Sequence, residues 1–369
     1  MLRLPSLEVE NFRAFRRLLI PSLGRVNLIV GKNGVGKSTV LEAVRAYAGR
    51  GDPAVLYDIL TRRHEDRRPE AGEEPGGSRV VPFWHLFHGR RPGEGPFTIG
   101  PSSLPDSRLT VRLRDAADGE GQVTLPFADR IADGQHGPPV MIAEFGGQAR
   151  QAIPLLEDAV TALPWRYLVS RHPMPAPGAI RSTLVAANGA PDLDVGEWWD
   201  AVALTRLEDD VLAALRIIER DVERLTLVGG EDTTRRVMLV RLKGSERPVP
   251  LRSLGDGMSR ILEIALALVN ARNGFLLVDE VENGVHYTVQ CQLWRVIFGL
   301  AKTLDIQVFA TTHSWDCLEA FKKAAVEEHT EEGCLIRLER QPGQPSEIRV
   351  TTFDEAELAI VTRDKIEVR

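Results

Sequence analysis

The sequence predicts an α/β fold in which a mainly parallel sheet is covered by helices and interrupted by a loop- and β-rich insertion. Three observations carry this expectation. A glycine-rich loop joins a short apolar strand to an amphipathic helix near residue 35. From Val237 onward, apolar runs of strand length alternate with runs of helical periodicity, the pattern of a parallel sheet with crossover helices. Between about 51 and 195, prolines and glycines recur and neither period is sustained.

Taken in order, Leu7-Glu8-Val9 alternates and Val26 to Val30 is an apolar run suited to a buried strand. Ser38 to Tyr47 has helical spacing through Val40, Leu41, Val44 and Tyr47, with Gly49 to close it. The insertion holds short alternating runs such as Leu109 to Leu113, and its prolines exclude a long coiled-coil arm. Helix returns near Glu197. Val211, Leu215, Ile218, Val222 and Leu225 step by four and three, which predicts one helix across them. Strands are expected at 237–240, 275–278 and 308–310, and helices at 258–269, 289–302 and 314–325. Two short strands, 334–338 and 347–351, and a last helix capped by Thr352-Phe353-Asp354-Glu355 complete the chain. The expected division is 1–55 and 196–369 as two parts of one head, with 56–195 as the insertion subdomain.

The 369 residues carry a formal net charge of -6, so the chain lacks the basic excess of a dedicated nucleic-acid binder. The cluster Arg62-Arg63-His64 with Arg67-Arg68 is broken by Glu65 and Asp66, and reads as a solvated loop before it reads as a DNA contact. Cys291, Cys317 and Cys334 form no CxxC pair, which argues against zinc or a disulfide framework and fits a reducing cytoplasm. No apolar run approaches a membrane span, and Met1 to Glu10 has charges where a signal peptide has its apolar stretch.

Four segments carry chemistry. In Gly31-Lys32-Asn33-Gly34-Val35-Gly36-Lys37-Ser38, followed by Thr39, the glycines let backbone N–H groups turn inward around a phosphate. Lys37 offers charge to the β- and γ-phosphates, Ser38 a hydroxyl to Mg²⁺, and the helix its N-terminal dipole. This is the phosphate-binding loop of an ATP site, in the strand–loop–helix context the motif requires. Phe275 to Glu280 is a hydrophobic strand ending in two acids. Asp279 is placed to hold Mg²⁺ and Glu280 to act as general base toward water. Leu251 to Arg260, with Ser253, Gly255 and Gly257 ahead of an apolar helix, makes a second anion-binding helix start. One chain has little use for two such sites in one place, so this one is expected to reach the γ-phosphate held by a second copy. His313, just past a buried strand, is expected level with Glu280 and able to polarise the γ-phosphate; a structural hydrogen-bonder is the competing reading.

The order phosphate loop, Ser-x-Gly-x-Gly, Asp-Glu, His resembles ABC-type ATPase heads, the superfamily of SMC proteins, RecF-type mediators and the OLD (overcoming lysogenization defect) family. The chain is most similar to single-chain OLD-like AAA ATPases. That likeness rests on Glu10-Asn11-Phe12-Arg13-Ala14-Phe15, the phosphate loop, Gly255-Asp256-Gly257-Met258-Ser259-Arg260, Asp279-Glu280-Val281-Glu282-Asn283-Gly284-Val285-His286, and Ala310-Thr311-Thr312-His313-Ser314-Trp315-Asp316. These segments cover both ends of the chain and leave the middle weakly matched. The resemblance implies a homodimer with two ATP molecules sandwiched between subunits, the signature residues of each completing the other's site. It also implies that Arg13 lies near the phosphates, against the reading of a surface arginine, and that Asn33 approaches the γ-phosphate.

Two features depart from the family pattern. The glutamine loop has no clear counterpart, with Gln122 and Gln148 as candidates, and Asp-Glu-Val-Glu-Asn replaces the transporter-like Asp-Glu-Pro. The resemblance further implies a separately encoded effector, a Toprim-type nuclease, acting in antiphage defence. Its docking surface is expected on the insertion or on the helix at 211–225. A RecF-like DNA-binding repair clamp and a nucleotide-gated scaffold are the alternatives.

Overall fold

A computed structural model describes residues 2–65, 83–90, 95–114, 140–154, 178–229, 236–328, 332–341, 344–354 and 357. Its elements run β1 (Leu7–Phe12), β2 (Phe15–Ile20), β3 (Val26–Gly31), α1 (Lys37–Ala48), α2 (Pro53–Thr61), β4 (Phe97–Gly100), β5 (Leu109–Arg114), β6 (Val140–Phe145) and β7 (Gln148–Pro154). There follow β8 (Ser182–Val185), α3 (Asp192–Asp200), α4 (Arg206–Leu215), β9 (Val222–Val228), β10 (Val237–Leu242), β11 (Val249–Pro250) and α5 (Asp256–Asn270). The remaining elements are β12 (Phe275–Val278), α6 (Tyr287–Thr303), β13 (Gln307–Thr311), α7 (Trp315–Glu328), β14 (Gly333–Gln341) and β15 (Gln344–Phe353).

The six-stranded sheet β15-β14-β3-β13-β12-β8 positions the site. All its neighbours pair in parallel except β14 with β15. Its strands are apolar on both faces because both faces are covered. Leu28, Leu276, Val278, Val308 and Ala310 point into one core with α3 to α7. Ile29, Phe275, Leu277 and Phe309 point into a second core, packed against α1 and the antiparallel sheet β2-β1-β4-β5-β6-β7. On the helical side, Trp294 of α6 meets Phe321 of α7 edge to face at 4.9 Å. Such a pair adds about 0.5–1.5 kcal/mol beyond its burial.

The stretch expected as an insertion is woven into both sheets. Strands β4 to β7 continue the sheet begun by β1 and β2, while β8 closes the parallel sheet beside β12. Strand β2 escaped the sequence pattern because Arg16 and Arg17 interrupt its alternation.

The single helix expected over Val211 to Leu225 is corrected. Helix α4 stops at Leu215, and Val222 and Leu225 belong to β9. The cause is a bulge: Arg224 pairs with Arg241 but Val222 pairs with Leu242, so Glu223 is the extra residue. One extra residue lets two buried side chains stand three apart on the same face, which imitates helical spacing. The cap near the end is also shifted. Asp354 N–H donates to Glu357 at 3.0 Å and Glu357 N–H donates to Asp354 at 2.9 Å, a reciprocal box two residues later than expected, because Thr352 and Phe353 still pair in β15.

The three cysteines are free thiols. Burial pushes Cys317 and Cys334 up to about 12, while Cys291 is half-buried. The thiolate is the reactive form. At pH 8 a thiol reagent should therefore label Cys291 first. Cys317 and Cys334 should react only on unfolding, as peptide mass mapping of the labelled native and denatured protein would show.

Candidate nucleotide site

Parallel pairing of β3, β13 and β12 ends the three strands at one edge, where their loops converge. After β3 the chain turns through the glycine loop into α1. Gly36, the N-cap of α1, has φ 113° and packs against Phe15, whose ring stands 2.6 Å from where a Cβ would lie. Glycine is thus required there twice, for conformation and for space. Lys32, Asn33 and Gly34 are exposed on the loop, whereas Val35 and Thr39 are buried beneath it. The Lys37 ammonium curls back into the loop, donating to Gly31 O at 2.7 Å and Lys32 O at 3.3 Å, and stands 3.2 Å from His313 Nδ1.

The two acids lie beyond β12. Asp279 Oδ1 accepts from Thr311 Oγ1 at 2.6 Å and from Ser38 Oγ at 3.1 Å. A cavity of about 350 Å³ opens beside this pair, lined also by Glu42, Arg45, Arg62, Arg63 and Asn188. One hydroxyl and one carboxylate with open space beside them fit Mg²⁺, which keeps waters and takes substrate phosphates as its other ligands. Glu280 has φ 48°, an uncommon conformation for a residue with a side chain. Its Oε1 lies 3.4 Å from His313 Nε2, level with it as expected.

The signature segment sits against the same turn. Gly255 is the N-cap of α5, and Ser253 is exposed in the 3-10 turn ahead of it, so the residue at the helix start carries no hydroxyl. Gly257 packs on the segment after Glu280, with Gly284 O only 2.9 Å from where a Cβ would lie. Arg260, one turn further on, is buried and donates to Ala186 O, Asp279 O and Glu280 O at 2.8, 2.7 and 2.9 Å.

The side chain of Arg13 is only 6% exposed. Its guanidinium faces Glu42 at 3.2 Å and Glu65 at 3.0 Å. Glu42 stands one helical turn beyond Ser38, so Arg13 belongs to an ion cluster beside the loop. The cluster Arg62-Arg63-His64, expected as a solvated loop, is a turn after α2 with Arg63 and His64 exposed and both arginines ion-paired. Arg63 donates to Glu42 at 2.5 Å and Arg62 to Asp58 at 2.7 Å. Burial raises the pKa of Glu42 even against these cations, because desolvation outweighs the nearby charge. Sequence reasoning missed Glu42 because its partners lie 29 residues before and 21 residues after it in the chain. Gln122, Arg67 and Arg68 lie outside the described residues. Gln148 opens β7 opposite Phe145 in a hairpin that meets the far end of α1, where Arg50 covers the Phe145 ring. With a rise of about 1.5 Å per residue, α1 separates that hairpin from Ser38 by roughly 15 Å or more.

A match at residues 202–316 is to the AAA domain family described as a putative AbiEii toxin of a type IV TA system, and residues 6–53 match a second AAA domain family. The structure of an SMC head bound to the C-winged helix domain of ScpA superposes with a TM-score of 0.50 at 12% identity, covering 96% of this chain and 98% of that one. The fold is that of an ABC-type ATPase head. An ATP/GTP phosphatase of Helicobacter pylori is 26% identical over 364 residues, 85% of this chain and 86% of its own length. The DNA replication and repair protein RecF of Clostridioides difficile is 44% identical over 43 residues, 12% of each chain.

The ion cluster gives this head a measurable dependence. Removing Arg13 takes one cation from Glu42 and Glu65, which keep Arg63 and Arg90, so the loss should fall below the about 3–5 kcal/mol of a buried pair that loses its one partner. Arg13→Ala should therefore lower the urea midpoint measurably, whereas Arg16→Ala, at an exposed position of β2, should leave it within error.

Proposed function

We propose that this ABC-type head binds ATP with Mg²⁺, hydrolyses it, and dimerises around it to switch a nucleic-acid-directed effector. The single observation that carries hydrolysis is the convergence of Lys37, Asp279, Glu280 and His313 on one sheet edge, with Glu280 Oε1 3.4 Å from His313 Nε2. Lys37 exchanges its loop carbonyls for phosphate oxygens, and the loop N–H groups hold the rest of the charge. Ser38 and Asp279 would hold Mg²⁺, which supplies positive charge to the phosphate oxygens when bound. Glu280 accepts the proton of the attacking water, and His313 donates toward the charge developing on the γ-phosphate. The match to the ATP/GTP phosphatase over most of the chain supports the reading.

Dimerisation is supported by the surface around the site. Ile218, beside Gly257, Tyr287, after the acidic turn, and Trp315, after His313, are 37%, 60% and 38% exposed. Large apolar side chains flanking one polar site are what a second copy would cover. Ser253, Gly255 and Gly257 then approach the partner's nucleotide. The OLD-like resemblance is what favours an effector encoded separately, a Toprim-type nuclease in antiphage defence, acting in the cytoplasm. The RecF likeness covers 43 residues; salt-dependent DNA binding by the pure protein would favour a repair clamp instead.

Lys37→Ala should raise the dissociation constant for ATP at least tenfold. Glu280→Gln should bind ATP as wild type and release phosphate roughly 100-fold more slowly or worse, within the range of general base catalysis. Hydrolysis at the wild-type rate by Glu280→Gln would remove Glu280 from the mechanism.

The dimer is better tested at Ser253 than at Gly257, where any side chain would strike Gly284 O. Ser253 is exposed, so Ser253→Arg should leave the fold intact while preventing ATP-dependent dimerisation of Glu280→Gln in light scattering. A variant that still dimerises and hydrolyses normally would argue against a shared site.

A further inference from the structure

The segment Val281-Glu282-Asn283 stands where transporter-like heads have proline, and its side chains turn back onto the residues that precede and face it. Asn283 Nδ2 donates to Glu280 Oε2 at 2.7 Å and to Ala187 O at 3.0 Å. Both partners only accept when the carboxylate is ionised, so the amide orientation is fixed by chemistry. Glu282 Oε1 accepts from the N–H groups of His313 at 2.7 Å and Ser314 at 3.1 Å, which holds the turn carrying the histidine.

We propose that Asn283 is the positioning residue of the hydrolytic site, fixing the Glu280 carboxylate so that Oε1 alone faces His313 and the water, while Glu282 sets the opposite wall. This deepens the reading of Glu280 as the base and rests on it.

Glu280 needs such a device. Its backbone is held in a left-handed conformation, φ 48°, that an ordinary residue adopts only when its surroundings enforce it. The enforcement is visible at each end. Glu280 N–H donates to Thr311 Oγ1 at 2.9 Å, and Glu280 O accepts from Arg260 at 2.9 Å. A carboxylate on a fixed backbone can still rotate about its own side-chain bonds. Asn283 removes that freedom by tying Oε2 to the carbonyl of Ala187, which follows β8. Contacts from α5 and β13 thus fix the backbone of Glu280 while Asn283, anchored at the end of β8, fixes its carboxylate, the condition for a base whose geometry is set before substrate arrives. Arg260 lies in the first turns of α5, so the contact that holds the Glu280 carbonyl comes from the helix whose start carries Gly255 and Gly257.

The test compares ATP binding with single-turnover phosphate release in Asn283→Ala, Asn283→Asp, Glu280→Gln and the double variant Glu280→Gln/Asn283→Ala. Asn283→Ala and Asn283→Asp should each release phosphate at least tenfold more slowly, with ATP affinity within twofold of wild type and thermal midpoints close to it. In the double variant, removing Asn283 should slow hydrolysis no further than Glu280→Gln alone, because the two residues act as a unit. A general structural role would lower affinity and thermal midpoint together and would add to the loss from Glu280→Gln. If both Asn283 variants hydrolyse within twofold of wild type while Glu280→Gln is inactive, the inference fails and the base assignment stands. If Glu280→Gln is active, the base assignment itself fails and takes the inference with it. Asn283→Asp keeps the shape of the side chain, so its kinetics remain decisive if Asn283→Ala does not fold.

Discussion

The hydrogen bond from Thr311 Oγ1 to Asp279 Oδ1, 2.6 Å long, is the interaction on which the arrangement depends. It joins the ends of β13 and β12, two strands whose parallel register already brings them level. The same carboxylate oxygen receives Ser38 from the start of α1, and the same hydroxyl receives the N–H of Glu280. One threonine therefore fixes the acid placed to hold a metal and the backbone of the residue placed as base. A shift of one residue in the register of β13 would point this side chain to the other face of the sheet and dissolve both contacts.

Around that bond the molecule tolerates an expensive kind of burial. Arg13, Glu42, Arg63 and Glu65 form an ion cluster directly behind the loop, and Arg45, Asp58, Arg62 and Asp194 continue it along α1 and α2. Paired buried charges add little net stability compared with well-packed apolar groups. What they add is direction. A guanidinium fork meets its carboxylate in few geometries, so the cluster holds the turn after β1 and the end of α2 in a set relation to the loop. Arg260 does the same on the other side, with backbone carbonyls in place of carboxylates.

The phosphate loop and the Asp279-Glu280 pair were legible in the sequence because each is contiguous and each follows its own strand. His313 was legible because β12 and β13 run in the same direction and have similar ends. The rest depends on partners far apart along the chain. Glu42 looks like any exposed position on an amphipathic helix until Arg13 and Arg63 are brought to it. Asn283 looks like a turn residue until Ala187, 96 positions away, supplies the second acceptor. Val222 and Leu225 were misread because a bulged strand and a helix both present apolar side chains three apart, and only pairing with β10 separates the cases. Ser253 was read as the signature serine from its neighbours; it lies in the turn ahead of the helix, whose N-cap is Gly255.

The position of β3 in its sheet has a consequence for how the molecule is made. This strand, residues 26–31, lies between β13 and β14, so both its neighbours are built from residues beyond 306. During synthesis the loop that follows β3 leaves the ribosome well before β13 and β14, the two strands that frame it. Contacts of such long sequence separation are slow to form. Until β14 emerges, the segment is an apolar strand with both edges open, the kind of surface chaperones attend to. The nascent chain accordingly has no nucleotide pocket until β13 and β14 have emerged, and ATP encounters the site only once those two strands flank β3.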